Sequence, residues 1–196
     1  MKQMTLLCFL GTLFLVQSGF KPAVVSHNVD LQQSSVSWTG YKVSGKHQGS
    51  IQMKSGELKF DNTKLVGGNF EIDMTSITCS DLTGEYADKL VGHLKSDDFF
   101  GTANHPIAKF VITQAIHQGK DLYKISGDLT IKGTAKPIKF SATVKEENGS
   151  KIANAEIKID RADYNVKYGS GSFFENLGDK TIFDEFDINV KLVTKK

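Results

Sequence analysis

Apolar and polar residues alternate along most of the chain from residue 34 onward. In residues 124–132, for example, Ile125, Leu129 and Ile131 share one parity, and every position of the opposite parity is polar. Successive side chains of a β-strand point to opposite faces of a sheet. A period of two therefore predicts strands with one face toward water and the other toward an apolar interior.

Eight segments carry this alternation, some clearly and some in a weaker form. They are residues 36–43, 51–60, 66–74, 110–114, 124–132, 138–145, 153–159 and 186–192. Short turn signals lie between several of them, at residues 61–62, 119, 132–134 and 148–149. Turns this short connect antiparallel neighbours, because parallel strands need a crossover of about a dozen residues or more. Within residues 51–60 the apolar parity switches near Ser55 and Gly56, which predicts a β-bulge.

Two segments break the strand pattern. Between residues 85 and 94, Ala87, Leu90, Val91 and Leu94 follow the i, i+3, i+4, i+7 spacing of a helix that is buried on one side. Residues 169–180 form a Gly-rich excursion, with room for one helical turn, that carries the doublet 173–174 of two phenylalanines. We therefore expect one short helix and one irregular excursion beside the strands.

About eight antiparallel strands must bury their apolar faces, and either a sandwich or a barrel can do so. We favour an all-β, antiparallel, eight-stranded barrel with the short helix at about 85–94. The interior of such a barrel is just large enough to be filled by side chains or to hold one small elongated ligand.

The amino terminus has the layout of a secretory signal. Lys2 precedes an apolar run of 13 residues, 4–16, and small and polar residues follow at 17–19. A membrane-spanning helix needs about 20 apolar residues. We expect a signal peptide in residues 1–23, cut after about residue 18 to 23, one domain in residues 24–196, and a periplasmic or secreted protein. Cys79 then stands alone in the mature chain and is expected to be a small buried residue.

The charge balance and the motif content of the chain argue against several classes of protein. Lys and Arg number 24 against 22 Asp and Glu, which is too balanced for a nucleic-acid-binding surface. The five histidines are widely spaced, no zinc-ligand spacing occurs, and no nucleophile elbow, phosphate loop or dinucleotide fingerprint occurs. We therefore expect no metal, no cofactor and no catalysis. The one candidate acid–base or metal cluster is His93 with Asp97 and Asp98, for which we favour a structural role at the end of the helix.

Three ordered motifs resemble a known family. Residues 93–100 read HLKSDDFF, residues 127–133 read GDLTIKG and residues 159–164 read IDRADY, together with Trp38, KHQG at 46–49 and GGNF at 67–70. From about residue 29 to the end, the chain resembles the YceI-like family of polyisoprenoid-binding proteins. The resemblance implies an exported bacterial protein with a lipocalin-like barrel whose apolar lumen holds a long isoprenoid chain. The chain departs from the family pattern at Val91-Gly92 and at residues 76–79.

Inward-facing strand residues and two aromatic doublets are the candidate lining of that lumen. The candidates are Phe70, Ile72, Phe99, Phe100, Phe110, Ile125, Leu129, Ile131, Phe140, Ala142, Phe173 and Phe174. The four residues of the doublets, 99–100 and 173–174, serve equally well as core plugs, which is the commoner use of buried aromatics.

Our leading hypothesis is a non-enzymatic carrier or storage protein for a polyisoprenoid, fatty or quinone-like lipid. A homodimer and a transient contact with a membrane surface for lipid exchange are both compatible with that role. The alternative is a structural or interaction barrel with a packed interior. A third class, a hydrolase or redox enzyme, would need His93 and Asp97 to point together into a pocket that solvent can reach.

Overall fold

The computed structural model describes residues 23–196, which form nine strands and one α-helix. The elements are β1 (Val24–Asn28), β2 (Ser35–Lys42), β3 (Gly45–Asp61), β4 (Lys64–Asp73), α1 (Gly84–Lys95), β5 (Ile107–His117), β6 (Leu122–Ile131), β7 (Thr134–Glu147), β8 (Ser150–Asp160) and β9 (Ile182–Val193). Single 3₁₀ turns occur at Met74–Ser76, Ala162–Tyr164 and Gly178–Lys180. Of the helices in this part of the chain, none has the length and apolar character needed to cross a membrane.

The strands close into one antiparallel ring. Their order is β1-β3-β2-β9-β8-β7-β6-β5-β4, and β4 pairs with β3 again. β1 pairs with residues 57–61 of β3 and β2 with residues 45–51, so these two strands follow one another along the same edge. The backbone N–H of Val29 donates to the Gly56 carbonyl at 2.8 Å between them. Nine strands thus fill the eight positions of a closed barrel, as predicted.

Each of the eight predicted strand segments lies mainly within an observed strand, and the predicted helix of residues 85–94 lies within α1. The predicted bulge is present, because the register between β3 and β4 shifts between Met53 and Ser55. β1 was not predicted. Its sequence, VVSHN, is largely exposed on both faces and therefore shows no alternation.

The hairpin turns have the backbone geometry that their residues indicate. Asn148 and Gly149 join β7 to β8 with φ values of 52° and 81°. Two successive residues with positive φ match the right-handed twist of the flanking strands, and Asn-Gly adopts this geometry readily. The predicted helical turn in the excursion is the 3₁₀ turn Gly178–Lys180.

Two apolar clusters fill the two ends of the barrel. The helix end, where α1 lies, contains Leu94, Phe99, Tyr164 and Val166. The opposite end is filled by a cluster that includes Leu58, Phe60, Leu65, Tyr123 and Val144. The predicted signal peptide falls on residues outside the described part of the chain, except for residue 23.

Residues 76–81, which we call the β3 strap, lie along β3 beyond the end of β4. The N–H of Thr78 donates to the Ser50 carbonyl, and the N–H of Ser80 donates to the Gln48 carbonyl, both at 2.9 Å. Trp38 Nε1 donates to the Thr78 carbonyl at 3.1 Å. The prediction that Cys79 is buried is wrong, because the strap runs over the barrel wall. The Cys79 side chain is only partly buried, and its Sγ lies 3.3 Å from Asp81 Oδ1.

The strap approaches β3 so closely that only glycine fits at position 49. A Cβ on Gly49 would lie 1.8 Å from the Thr78 carbonyl oxygen and 2.8 Å from the Trp38 ring. We expect Gly49→Ala to lower the free energy of unfolding by about 1–3 kcal/mol, the usual cost of overpacking, in chemical denaturation. Gly67→Ala is the matched control, because its Cβ would meet only Lys59 atoms at 3.8–3.9 Å. Equal stability of the two variants would contradict the packing of the strap.

Asp81 fastens the end of the strap. Its Oδ1 accepts from the Gln48 N–H and its Oδ2 lies 2.8 Å from His47 Nδ1. Partial burial raises the pKa of Asp81, but hydrogen bonds from Gln48, His47 and Cys79 outweigh it and lower the pKa from 3.8 to about 2. The carboxylate therefore stabilises the fold above pH 4, and this contribution is lost as the pH falls toward 2.

We expect Asp81→Asn to be less stable than the wild type at neutral pH, with the difference shrinking between pH 4 and pH 2 in thermal melts.

Candidate functional site

The barrel encloses an internal cavity of about 230 Å³. All eight strands from β2 to β9 contribute to its wall, and Leu94 of α1 and Phe99 and Phe100 of the following turn cover it at the helix end. This volume is slightly below the range of about 300–1,000 Å³ that is common for small-molecule sites. The alternation along each strand explains which residues form the wall, because the apolar side of every strand faces inward.

The wall is almost entirely apolar. Among the described lining residues, Arg161 is the only charged one, and Asn154, the only amide, is exposed to solvent. The polar atoms of Trp38 and Tyr41 are engaged elsewhere, with the Thr78 carbonyl and with Asp187 Oδ2, the latter at 2.6 Å. A polar ligand would lose its hydrogen bonds to water here without replacement. The cavity therefore suits an apolar molecule.

Ten of the twelve candidate lining residues lie in the cavity wall. They are Phe70, Ile72, Phe99, Phe100, Phe110, Ile125, Leu129, Ile131, Phe140 and Ala142. Strand alternation brings eight of them together from β4, β5, β6 and β7, and the turn after α1 supplies the aromatic doublet. Phe99 and Phe100 pack edge to face, with ring centroids 5.0 Å apart.

Phe173 and Phe174 do not reach the cavity, so their assignment to its lining is corrected. Their side chains are 40% and 51% exposed. Both backbone N–H groups donate to the Ser170 carbonyl, at 3.2 and 3.0 Å, which makes a tight turn. Lys167 Nζ lies 5.0 Å from the centre of the Phe173 ring. The turn therefore holds both rings on the outer surface of the excursion.

Several lining residues were not selected from the sequence. Phe186 and Ile188 have the inward parity of a predicted strand, so the alternation already marked them. Met74 and Ile77 also line the cavity but lie in the irregular segment after β4. Met74 falls within the predicted segment 66–74 and has the parity of Phe70 and Ile72, so the alternation also marked it. Nothing periodic marks Ile77, because it turns inward only where the chain folds back over β3.

Arg161 is the one charged side chain in the cavity wall and is 2% exposed. Its guanidinium donates to three carbonyls, of Val166 at 2.7 Å, Ile182 at 3.0 Å and Phe183 at 3.3 Å. Nη2 also lies 3.1 Å from Asp184 Oδ1, so the ion pair forms with Asp184 rather than with the neighbouring Asp160. Burial lowers the pKa of Arg161, while the two aspartates raise it.

Those contacts make Arg161 a brace rather than a ligand clamp. The carbonyls that it binds belong to residues before and after the excursion, so one side chain ties both ends of that segment to the barrel. The guanidinium also lies 5.3 Å from the centre of the Phe99 ring, where a cation–π contact is favourable.

His93, Asp97 and Asp98 do not form a joint site. The His93 ring packs against Phe99 and Tyr168, with centroid distances of 5.6 and 4.3 Å, and its Nε2 is buried without a hydrogen-bond partner. Asp97 and Asp98 are exposed, and Asp97 Oδ1 accepts from Asn104 Nδ2 at 3.3 Å. Within residues 23–196, no group of three or more His, Cys, Asp or Glu side chains is placed to hold a metal ion.

Comparison with known proteins shows the family to which the barrel belongs. The model of the YceI-like domain matches residues 27–194. A UPF0312 protein of Pseudomonas putida is 27% identical over 197 residues, which cover 95% of this chain and 95% of that protein.

Two solved structures have the same architecture. BcnA of Burkholderia cenocepacia is 26% identical with a TM-score of 0.71, and the match covers 85% of this chain and 99% of that one. A polyisoprenoid binding domain from Saccharophagus degradans, implicated in plant cell wall breakdown, is 16% identical with a TM-score of 0.64 over 89% of this chain and 99% of that one.

Arg161→Ala tests the brace. Removing the guanidinium takes its donors from three carbonyls and leaves the Asp184 carboxylate with only the Ser172 hydroxyl, so we expect a loss of about 3 kcal/mol in the free energy of unfolding. The matched control is Lys158→Ala, which removes an exposed ion pair to Asp187 and should cost less than about 1 kcal/mol. Similar stabilities of the two variants in urea denaturation would contradict the bracing role.

Proposed function

Because the chain belongs to the YceI-like domain family, we propose that it is a non-catalytic protein that holds a polyisoprenoid or similar long-chain lipid inside its barrel. The apolar cavity is the observation that carries this proposal. The relative from Saccharophagus degradans, described as a polyisoprenoid binding domain, supports the choice of an isoprenoid. Apart from this lipid, no cofactor is required.

The size of the cavity favours a binding protein over a barrel with a packed interior. An unfilled apolar cavity costs about 24 cal/mol per Å³, so 230 Å³ corresponds to about 5.5 kcal/mol. An apolar chain in the cavity restores the missing contacts with the wall. Binding would therefore be driven by burial of apolar surface rather than by recognition of a head group.

We also propose that the protein is exported and collects its ligand outside the cytoplasm. The apolar run of residues 4–16 behind Lys2 supports export. A poorly water-soluble chain would be exchanged at a membrane surface.

Mass spectrometry of organic extracts tests lipid binding directly. We expect protein purified under native conditions, or incubated with mixed prenyl lipids, to release a long-chain lipid in a defined molar ratio. At about 0.3 kcal/mol per non-hydrogen atom, each five-carbon unit adds about 1.5 kcal/mol, so affinity should rise about tenfold per unit across C10, C15 and C20 prenyl alcohols. An empty barrel in both preparations would overturn the proposal.

Ala142→Trp should block the cavity. Ala142 lies in the wall and is 7% exposed, while the next residue, Thr143, points outward. We expect Ala142→Trp to lower the bound lipid at least tenfold and Thr143→Trp to leave it unchanged, as measured by the same extraction. Circular dichroism melts establish that both variants fold. Equal lipid content in two folded variants would place the ligand elsewhere.

A further inference from the structure

The barrel wall is only partly hydrogen-bonded between β7 and β8. Their ladder joins residues 142–147 to residues 150–155, which gives six pairs. By comparison, β6 and β7 form ten pairs and β8 and β9 form nine. Residues 134–141 therefore pair only with β6, and residues 156–160 pair only with β9. We call the space between these two stretches the β7–β8 seam.

Polar side-chain contacts do not close the seam. Among the described residues, no side-chain hydrogen bond and no ion pair links residues 134–141 to residues 156–160: Lys158, for example, turns away to Asp187 and Glu185 of β9. The β4–β5 ladder also has only six pairs, but beyond it the N–H of Leu65 in β4 donates to the hydroxyl of Tyr123 in β6 at 3.4 Å, and both residues are buried in a cluster.

The two strand stretches that border the seam, residues 134–141 and 156–160, are its lips, and both contribute to the cavity wall. Ile138 and Phe140 line it from β7, and Ile157 and Ile159 line it from β8. The outward positions between them are polar, with Lys139 exposed. Only this single layer of backbone and side chains separates the apolar interior from the outside at the seam.

At the end away from the β7–β8 turn, the seam is covered by the 3₁₀ turn Ala162–Tyr164, which follows β8 and packs against β7. Tyr164 is 1% exposed, yet its hydroxyl is buried without a partner. A buried hydroxyl without a hydrogen bond costs about 1–3 kcal/mol, so the apolar packing of this turn is offset in part by one unpaired polar group.

We propose that an apolar chain enters and leaves the barrel sideways, through the β7–β8 seam. This inference rests on the proposed lipid-binding function. Parting the lips breaks no ladder hydrogen bonds, whereas parting any fully paired neighbours breaks several, at about 0.5–1.5 kcal/mol each. The competing route is the helix end beside Phe183, a cavity-lining residue that is 50% exposed.

Crosslinking tests the route. In a Cys8→Ser, Cys79→Ser background, Lys139→Cys and Lys158→Cys place one thiol on each outer lip, and a short bismaleimide with an internal disulfide joins them. Thr143→Cys and Asn154→Cys, joined in the same way, form the matched control, because these residues are already paired in the ladder. The probe is trans-parinaric acid, an 18-carbon fluorescent fatty acid, mixed with each protein in a stopped-flow instrument.

We expect the crosslinked seam to slow uptake of the probe at least tenfold, with the equilibrium amount bound within twofold of the wild type. Reduction of the linker should restore the rate, and the control pair should change it less than twofold. Equal uptake rates for the two crosslinked proteins would overturn the proposed entry through the seam and favour the route beside Phe183. If the wild type takes up neither this probe nor prenyl alcohols, the proposed function itself fails, and the seam with it.

Discussion

Pairing along both edges of β3 is the constraint on which the barrel depends. This 17-residue strand meets β1 and β2 along one edge and β4 along the other. Because the strand pairing runs around the whole ring, every inward side chain faces a shared interior. The bulge between Met53 and Ser55 bends the strand at its middle. The cavity forms because β3 pairs along both of its edges and so closes the ring.

Closure leaves the beginning of β3 without β4, and the strap occupies that edge. β4 ends at Asp73, opposite Gln52, so residues 45–51 of β3 need another neighbour. The strap supplies it through the backbone of Thr78 and Ser80 and through the carboxylate of Asp81. These hydrogen bonds to β3 also position Ile77 so that it lines the cavity. The strap therefore completes both the hydrogen bonding of β3 and the apolar wall.

The sequence predicts those parts of the site that depend on strand parity alone. Ile125 and Leu129, for example, face the cavity because their strand has one apolar side. It does not predict parts that depend on distant partners. Ile77 faces inward only because the strap bonds to β3, and Phe174 faces outward because its N–H bonds to Ser170. β1 was missed because a strand exposed on both faces has no alternation to detect.

The two ends of the barrel differ in how well their buried polar groups are paired. The opposite end is closed by an apolar cluster around Phe60 and Tyr123. The helix end has its own apolar cluster around Phe99 and Tyr164, but it also contains two buried polar atoms without partners, His93 Nε2 and the Tyr164 hydroxyl. Burial raises the pKa of Tyr164 to about 12. The Arg161 brace holds the excursion there through one side chain. Local opening starts where the fewest favourable contacts are lost, so we expect it at the helix end, beside the unpaired stretches of the β7–β8 seam.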